Sequence, residues 1–130
     1  MSILKTYARC FVDDLDSALP LYETLVGQTA DLRFEFEGAS LAAVGDLLLI
    51  GGPPEVTDRF RGTVGPLVVD DLTETMDRLR SLGSQVVGGP SRSATGTFAY
   101  VRHPDGAVIE YVQWDAEILE KVRCNERVSR

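Results

Sequence analysis

Val12-Asp13-Asp14-Leu15 returns 57 residues later as Val69-Asp70-Asp71-Leu72. In each copy a β-favouring run precedes the aspartates and an apolar pattern of helical period follows them, so each reads as strand end, helix cap and helix start. At the same offset Leu19, Tyr22 and Leu25 fall on Met76, Leu79 and Leu82. Further on, Gly45-x-x-x-Leu49 corresponds to Gly106-x-x-x-Glu110. Each half therefore reads as strand, helix and three strands, a doubled βαβββ unit. Neither half would bury its sheet face alone, so the two must pair, within one chain or across a dimer.

The elements follow in order. Lys5 to Val12 reads as one strand, with Tyr7, Arg9 and Phe11 on one face and Ala8, Cys10 and Val12 on the other. A helix then opens in Asp13-Asp14-Leu15-Asp16, with Leu15, Leu19, Tyr22 and Leu25 (or Val26) inward and Gly27 as its stop. Pro20 fits best near a first turn, which favours Asp16 as N-cap. Leu32, Phe34 and Phe36 alternate with Arg33, Glu35 and Glu37 as a half-buried strand, and two strands, 40–44 and 47–50, flank a Gly45-Asp46 turn. Gly51-Gly52-Pro53-Pro54 through Gly62 reads as a linker. After it come a strand from Thr63 to Val69, a helix over Leu72, Met76, Leu79 and Leu82 with Asp71 and Glu74 as a capping box, and strands at 85–87 and 97–102. Asp115 is expected to cap a short terminal helix onto which Trp114 staples at Leu119. The expected organisation is one domain: module one at 4–51, linker 52–62, module two at 63–114, and helix or tail at 115–130.

The chain has 130 residues, a hydrophobic fraction of 44% and a formal charge of −7. That length supports one core without staples. The acidic balance argues against nucleic-acid or anionic-membrane partners, which need a cationic surface, and permits a cationic ligand. Two cysteines, Cys10 and Cys124, form neither a disulfide framework nor a metal spacing. No apolar run approaches the roughly 18 residues of a membrane span. A cytoplasmic protein is expected.

His103-Pro104-Asp105-Gly106 is turn chemistry, and the run behind it alternates. Val108, Glu110, Val112 and Trp114 share one face, and Ala107, Ile109, Tyr111 and Gln113 the other. A carboxylate among Val, Val and Trp must be solvated, paired or functional, because burying it alone is costly. His103, in a turn, is expected to be solvated.

With the repeat and this stretch together, the chain resembles the vicinal oxygen chelate superfamily, the glyoxalase/bleomycin-resistance/dioxygenase group. The resemblance rests on Cys10 to Ala18 with Tyr22 and Gly27, on Asp71-Leu72 to Leu82-Gly83, and above all on His103-Pro104-Asp105-Gly106-Ala107-Val108-Ile109-Glu110. The last looks like the family's Asp-Pro-x-Gly-x-x-x-Glu signature with His in place of the first Asp. It implies an α+β fold in which two βαβββ modules form a curled eight-stranded mixed sheet around a cleft, with a short C-terminal helix. The family's metal-ligand positions fall on Tyr7, Leu49, Val64 and Glu110. Only Glu110 is a good ligand, and divalent metals in such sites want at least three protein ligands. No metal and no other cofactor is therefore expected.

The resemblance would line the cleft with Tyr7, Arg9, Phe11, Leu47, Leu49, Val64, Pro66, Val68, Val108, Glu110, Val112 and Trp114. Phe34, Phe36, Phe98 and Tyr100 are candidate walls whose inward parity the sequence leaves open. Such a mostly apolar, aromatic lining suits a small molecule. One expectation is a metal-independent binding protein for a cationic or planar aromatic compound, such as an antibiotic or natural product, with Glu110 as polar anchor and Trp114, Tyr7 and Phe11 for stacking. The other is a metal-free isomerase, epimerase, cyclase or lyase with Glu110 as general acid/base helped by Tyr7 and Arg9. A buried Arg9–Glu110 pair that only ties two strands together is the alternative to a ligand role, and a dimeric scaffold with no ligand is the third reading. A homodimer is expected in each case.

Overall fold

The structure is a computed structural model that describes residues 1–129, with side chains for residues 1–126. Arg130, the end of the expected tail, lies outside the described residues. In chain order the elements are β1 (Ile3–Thr6), β2 (Ala8–Val12), α1 (Leu15–Val26), β3 (Leu32–Phe36), β4 (Ala39–Val44), β5 (Leu47–Gly51), α2 (Pro54–Thr57), β6 (Val64–Val69), α3 (Leu72–Ser81), β7 (Gln85–Arg92), β8 (Gly96–Arg102), β9 (Val108–Trp114) and α4 (Ala116–Ser129). This is the expected α+β fold with two βαβββ repeats, β2-α1-β3-β4-β5 and β6-α3-β7-β8-β9, and a C-terminal helix.

Nine strands occur among the described residues, one more than expected, because the run from Lys5 to Val12 divides at Tyr7. Its first part, β1, pairs antiparallel with β6, while its second part, β2, pairs parallel with β5. The sheets are β1-β6-β9-β8-β7 and β2-β5-β4-β3, each containing one parallel pair. The compact units follow the sheets rather than the repeat boundary. One comprises residues 1–7 and 62–115, the other residues 8–61 and 116–130.

In the unit of residues 1–7 and 62–115, α3 covers one face of the five-stranded sheet. Leu72 and Met76 pack on Val69, Ala99, Val101 and Tyr111, with Leu67 and Ile109 beside them. The Asp71 carboxylate accepts the Glu74 N–H at 3.0 Å and so caps the helix. The reciprocal half of the expected capping box is missing, because the Glu74 side chain takes the N-terminal ammonium at 3.0 Å instead. Leu82 is 62% exposed. It lies just past the last helical turn, and Thr75 takes the inward space. Strand β7 runs on through Gly88-Gly89-Pro90, which was expected to end it. Two register irregularities against β8 absorb the residues that cannot hold a regular ladder.

In the unit of residues 8–61 and 116–130, α1 covers the four-stranded sheet, with Leu15 and Leu19 on Ala42, Val44 and Leu49. Its N-cap is Asp14, not Asp16: the Asp14 carboxylate accepts the Ser17 N–H at 3.0 Å. Asp16 is drawn to Arg33, 2.6 Å away, and Pro20 sits inside the helix. The cap and the burial of Leu15 and Leu19 outweigh the backbone bond that Pro20 cannot donate. Leu25 is 72% exposed and Val26, beside Gly45, is 36% exposed, so the inward stripe runs through Leu15, Leu19 and Tyr22 and stops there. The expected linker is structured, with α2 and a 3-10 turn at Asp58–Phe60 that buries Phe60. The C-terminal helix is 14 residues long. It is anchored through Asn125, whose amide donates to the buried Asp31 carboxylate at 2.7 Å, alongside Gln28 at 3.2 Å. Among the described residues no helix is long and apolar enough to cross a membrane.

Candidate functional site

Strand alternation divides each sheet into a helix-covered face and an opposite face. On β9, Ile109 and Tyr111 lie against α3, so Val108, Glu110, Val112 and Trp114 point the other way, as expected. The ladder settles the parity of β8 that the sequence left open. Ala99 and Val101 face the helix, so Phe98 and Tyr100 share the face of Glu110. Tyr100 lies directly opposite Glu110, Phe98 opposite Val112 and Gly96 opposite Trp114. On the other flank Val68 pairs with Val112, and Lys5 pairs with Val68. Lys5, Val68, Val112 and Phe98 thus form one row across four strands. Tyr7 reaches the same face, its ring 6.1 Å from Trp114. Its N–H donates to the Pro66 carbonyl.

This face is largely dry. Val68, Tyr7, Val112, Trp114 and Phe98 are buried, while Glu110 and Tyr100 are half-buried. Phe98 and Tyr100 meet edge to face with centroids 5.9 Å apart, a favourable aromatic geometry. Val64 opens β6 ahead of a register irregularity and is 56% exposed. Of the expected site residues, one unit therefore carries Tyr7, Val64, Val68, Phe98, Tyr100, Glu110, Val112 and Trp114.

Arg9, Phe11 and Leu49 belong to the other unit. There Arg9 donates to the Phe60 carbonyl at 2.6 Å, and the Arg61 guanidinium lies 4.2 Å above the Phe11 ring. Leu49 and Leu47 do not share their face. Both pack on the α1 side, in the cluster of Leu15, Leu19, Ala42 and Val44. The β5 residues paired with Arg9 and Phe11 are Leu48 and Ile50.

The reason is a slip of one residue between the repeats. The first hairpin closes on the helix-side pair Val44–Leu47, whereas the second carries its ladder one pair further, to Arg102–Val108 on the opposite face. Counting four residues from each hairpin glycine therefore lands on opposite faces. Cys10 pairs with Leu49 as Leu67 pairs with Tyr111, so Leu48 is the counterpart of Glu110. The metal-ligand positions that the family resemblance implies would thus fall on Tyr7, Leu48, Val64 and Glu110. With one carboxylate, one phenol and two aliphatic chains, this donor set does not fit a divalent metal. Among the described residues no group of three or more His, Cys, Asp or Glu side chains could hold one.

His103 departs from expectation. It is half-buried, with Nδ1 2.8 Å from Ser84 Oγ and Nε2 2.7 Å from Tyr111 Oη. In neutral imidazole one nitrogen donates and the other accepts, and each hydroxyl partner can take either role. Burial pushes the Tyr111 phenol above its ordinary value. The folded state then holds that proton where the unfolded chain loses it, so stability present below pH about 10 falls as pH rises beyond it. A Tyr111→Phe variant is expected to lose about 1 kcal/mol with its bond to His103. It should also flatten the alkaline fall of a urea-denaturation series run up to the phenol range. An unchanged alkaline limb would assign that fall to other groups.

The sequence profile described as the Glyoxalase/Bleomycin resistance protein/Dioxygenase superfamily matches residues 6–111. No curated protein matches the chain in sequence. Among solved structures, an uncharacterized protein from Methanosarcina mazei is 40% identical, with a TM-score of 0.84 over 88% of this chain and 95% of that one. A methylmalonyl-CoA epimerase from Streptomyces coelicolor, in complex with 2-nitronate-propionyl-CoA, is 18% identical, with a TM-score of 0.66 over 88% of this chain and 100% of that one. A hypothetical protein from Bacillus halodurans shares 15% identity, with a TM-score of 0.62 over 88% and 94%. At such identities the last two show the fold alone. The chain belongs to the glyoxalase/bleomycin resistance protein/dioxygenase superfamily.

Proposed function

We propose that this chain is a metal-independent small-molecule binding protein that sequesters or carries an antibiotic or natural product of planar aromatic or cationic character. The observation that carries the reading is the face on which Glu110 lies opposite Tyr100, flanked by Val112, Phe98 and Trp114. One carboxylate amid apolar and aromatic groups is the usual composition of a small-molecule site. Glu110 is the polar anchor, and Trp114, Tyr7, Phe98 and Tyr100 supply contact area. Arg9 and Phe11 are kept as candidate contacts of the other unit. The net charge of −7 favours a cationic ligand over an anionic one.

The test is a compound library of planar and cationic molecules screened by thermal shift, with hits titrated at equilibrium. A Glu110→Gln substitution is expected to weaken a cationic hit roughly tenfold or more, the worth of a charge-assisted hydrogen bond. Affinity unchanged by Glu110→Gln would remove Glu110 from the anchor role.

A second reading is favoured by the half-buried position of Glu110 across from a phenol, and by the fold shared with methylmalonyl-CoA epimerase. Glu110 is then the general acid/base of a metal-free isomerase, epimerase, cyclase or lyase, with Tyr7 of the same unit assisting. Under it Glu110→Gln binds normally and conversion of the bound compound stops. In either reading the protein acts as a homodimer. Leu21 and Leu25, four residues apart on α1 and both exposed, are apolar surface that a second copy would cover.

A further inference from the structure

Strand β3 reads Leu32-Arg33-Phe34-Glu35-Phe36, apolar residues alternating with one cation and one anion about a central phenylalanine. It is the last strand of its sheet, and among the described residues it pairs with β4 alone. Its turn fixes which backbone groups stay open. Glu37 (φ 49°) and Gly38 (φ 89°) make a two-residue hairpin of type I′, so the flanking pair Phe36–Ala39 exchanges both backbone hydrogen bonds. Alternation along an antiparallel ladder then commits the N–H and C=O groups of Leu32, Phe34 and Phe36 to β4. Those of Arg33 and Glu35 turn to the open edge. Both of these residues are exposed, while Phe34 is half-buried. The edge strand β7 of the other unit is blunted by Gly88-Gly89-Pro90 and two register irregularities. By contrast β3 carries no proline, no glycine and no break in register from Leu32 to Phe36.

We propose that β3 is a pairing edge for β3 of a second copy of this chain, antiparallel about a twofold axis at Phe34, so that two four-stranded sheets join into one. Charge selects both the partner and the register. With Phe34 opposite the partner's Phe34, Arg33 faces the partner's Glu35, Glu35 faces the partner's Arg33, and Leu32 faces the partner's Phe36. Each Arg33–Glu35 pair also exchanges the outward backbone bonds, so the residues that attract are the residues that hydrogen-bond. Slipping by two would set Arg33 on the partner's Arg33, or Glu35 on the partner's Glu35. Slipping by one would oppose Arg33 to Phe34, whose backbone groups are already committed to β4. One self-matching patch on both copies is what a closed twofold dimer requires. The present partners of the two charges are easily exchanged. Arg33 pairs with Asp16, which is 78% exposed, and Glu35 accepts from the Ser40 hydroxyl at 2.9 Å. This rests on the homodimer of the reading above and gives it an interface, whatever the protein binds.

The measurement is sedimentation equilibrium over a dilution series, with circular dichroism to establish that each variant is folded. The wild type is expected to dimerise. Arg33→Glu alone and Glu35→Arg alone each set like charges opposite one another at both symmetry-related pairs. Each should raise the dissociation constant roughly tenfold or more. Mixed in equal amounts, the two variants should recover a dimer containing one copy of each, because unlike charges then meet at both pairs. Glu35→Pro removes an outward N–H without touching the β4 ladder, and should weaken the dimer by a similar factor. A monomeric wild type would overturn the β3 interface and the homodimer together. A wild-type dimer indifferent to both reversals would leave the homodimer standing and overturn the β3 interface, and its loss in Leu21→Glu would move the contact to the outward face of α1. Folded reversal variants that stay monomeric when mixed would also overturn it.

Discussion

Leu49→Ala is expected to destabilise the protein by about 3 kcal/mol, the middle of the range for a fully buried leucine cut back to its Cβ. Leu49 is 0% exposed and is enclosed by Leu15 and Leu19 of α1 and by Ala42 and Val44 of β4. Those neighbours lie on two elements tied by cap and ladder, so they cannot collapse into the space, and the cavity term adds to the lost transfer energy. Urea denaturation should show a lower midpoint with an unchanged slope, because the surface exposed on unfolding barely differs between variant and wild type. Had Leu49 stood on the face of Arg9 and Phe11, its truncation would instead change ligand affinity. The expected outcome is therefore a split: a large stability loss, and ligand affinity within twofold of wild type at temperatures where the variant is folded. A cost below about 1 kcal/mol would contradict the core assignment.

The same residue shows where sequence reading stops. The doubled βαβββ order was legible because Val-Asp-Asp-Leu combines a strand end, a cap and an apolar helix start in four residues, twice. The face of Glu110 was legible because β9 alternates without interruption, and Phe98 and Tyr100 needed only the ladder to join it. Leu49 was misplaced because nothing local states how far a hairpin ladder runs toward its turn, and one pair is enough to reverse a face. The strand at Lys5–Val12 looked continuous because the switch of sheet at Tyr7 is made by long-range bonds, Tyr7 N–H to Pro66 and Ala8 N–H to Asp46. No residue pattern within the strand encodes those partners. His103 was misread since its partners, Ser84 and Tyr111, come from a helix end and a neighbouring strand rather than from its own turn.

Gly96→Ala is expected to be worse than the loss of any single core methyl group, at roughly 3 kcal/mol or more. Gly96 is buried at the start of β8, paired with Trp114 at the end of β9. A Cβ there would meet backbone, not a yielding side chain: the Gln113 carbonyl oxygen first, then Trp114 Cα at 2.9 Å and the Gln113 carbonyl carbon at 3.0 Å. Space can be made only by pushing β9 away from β8, which breaks ladder bonds at the pair beside which Tyr7 packs. The damage is therefore local as well as global. Trp114 emission should shift to longer wavelength at temperatures below the unfolding transition, and any ligand reporting through Trp114 should weaken with it. Gly62→Ala is the matching control, since a Cβ at that position meets nothing within 4 Å. It should fall within about 0.5 kcal/mol of wild type, because a surface change away from special features costs little. If both variants unfolded at the wild-type midpoint, the close approach of β8 to β9 at Trp114 would be wrong. The register that sets Tyr100 against Glu110, four pairs along the same ladder, would be in doubt with it.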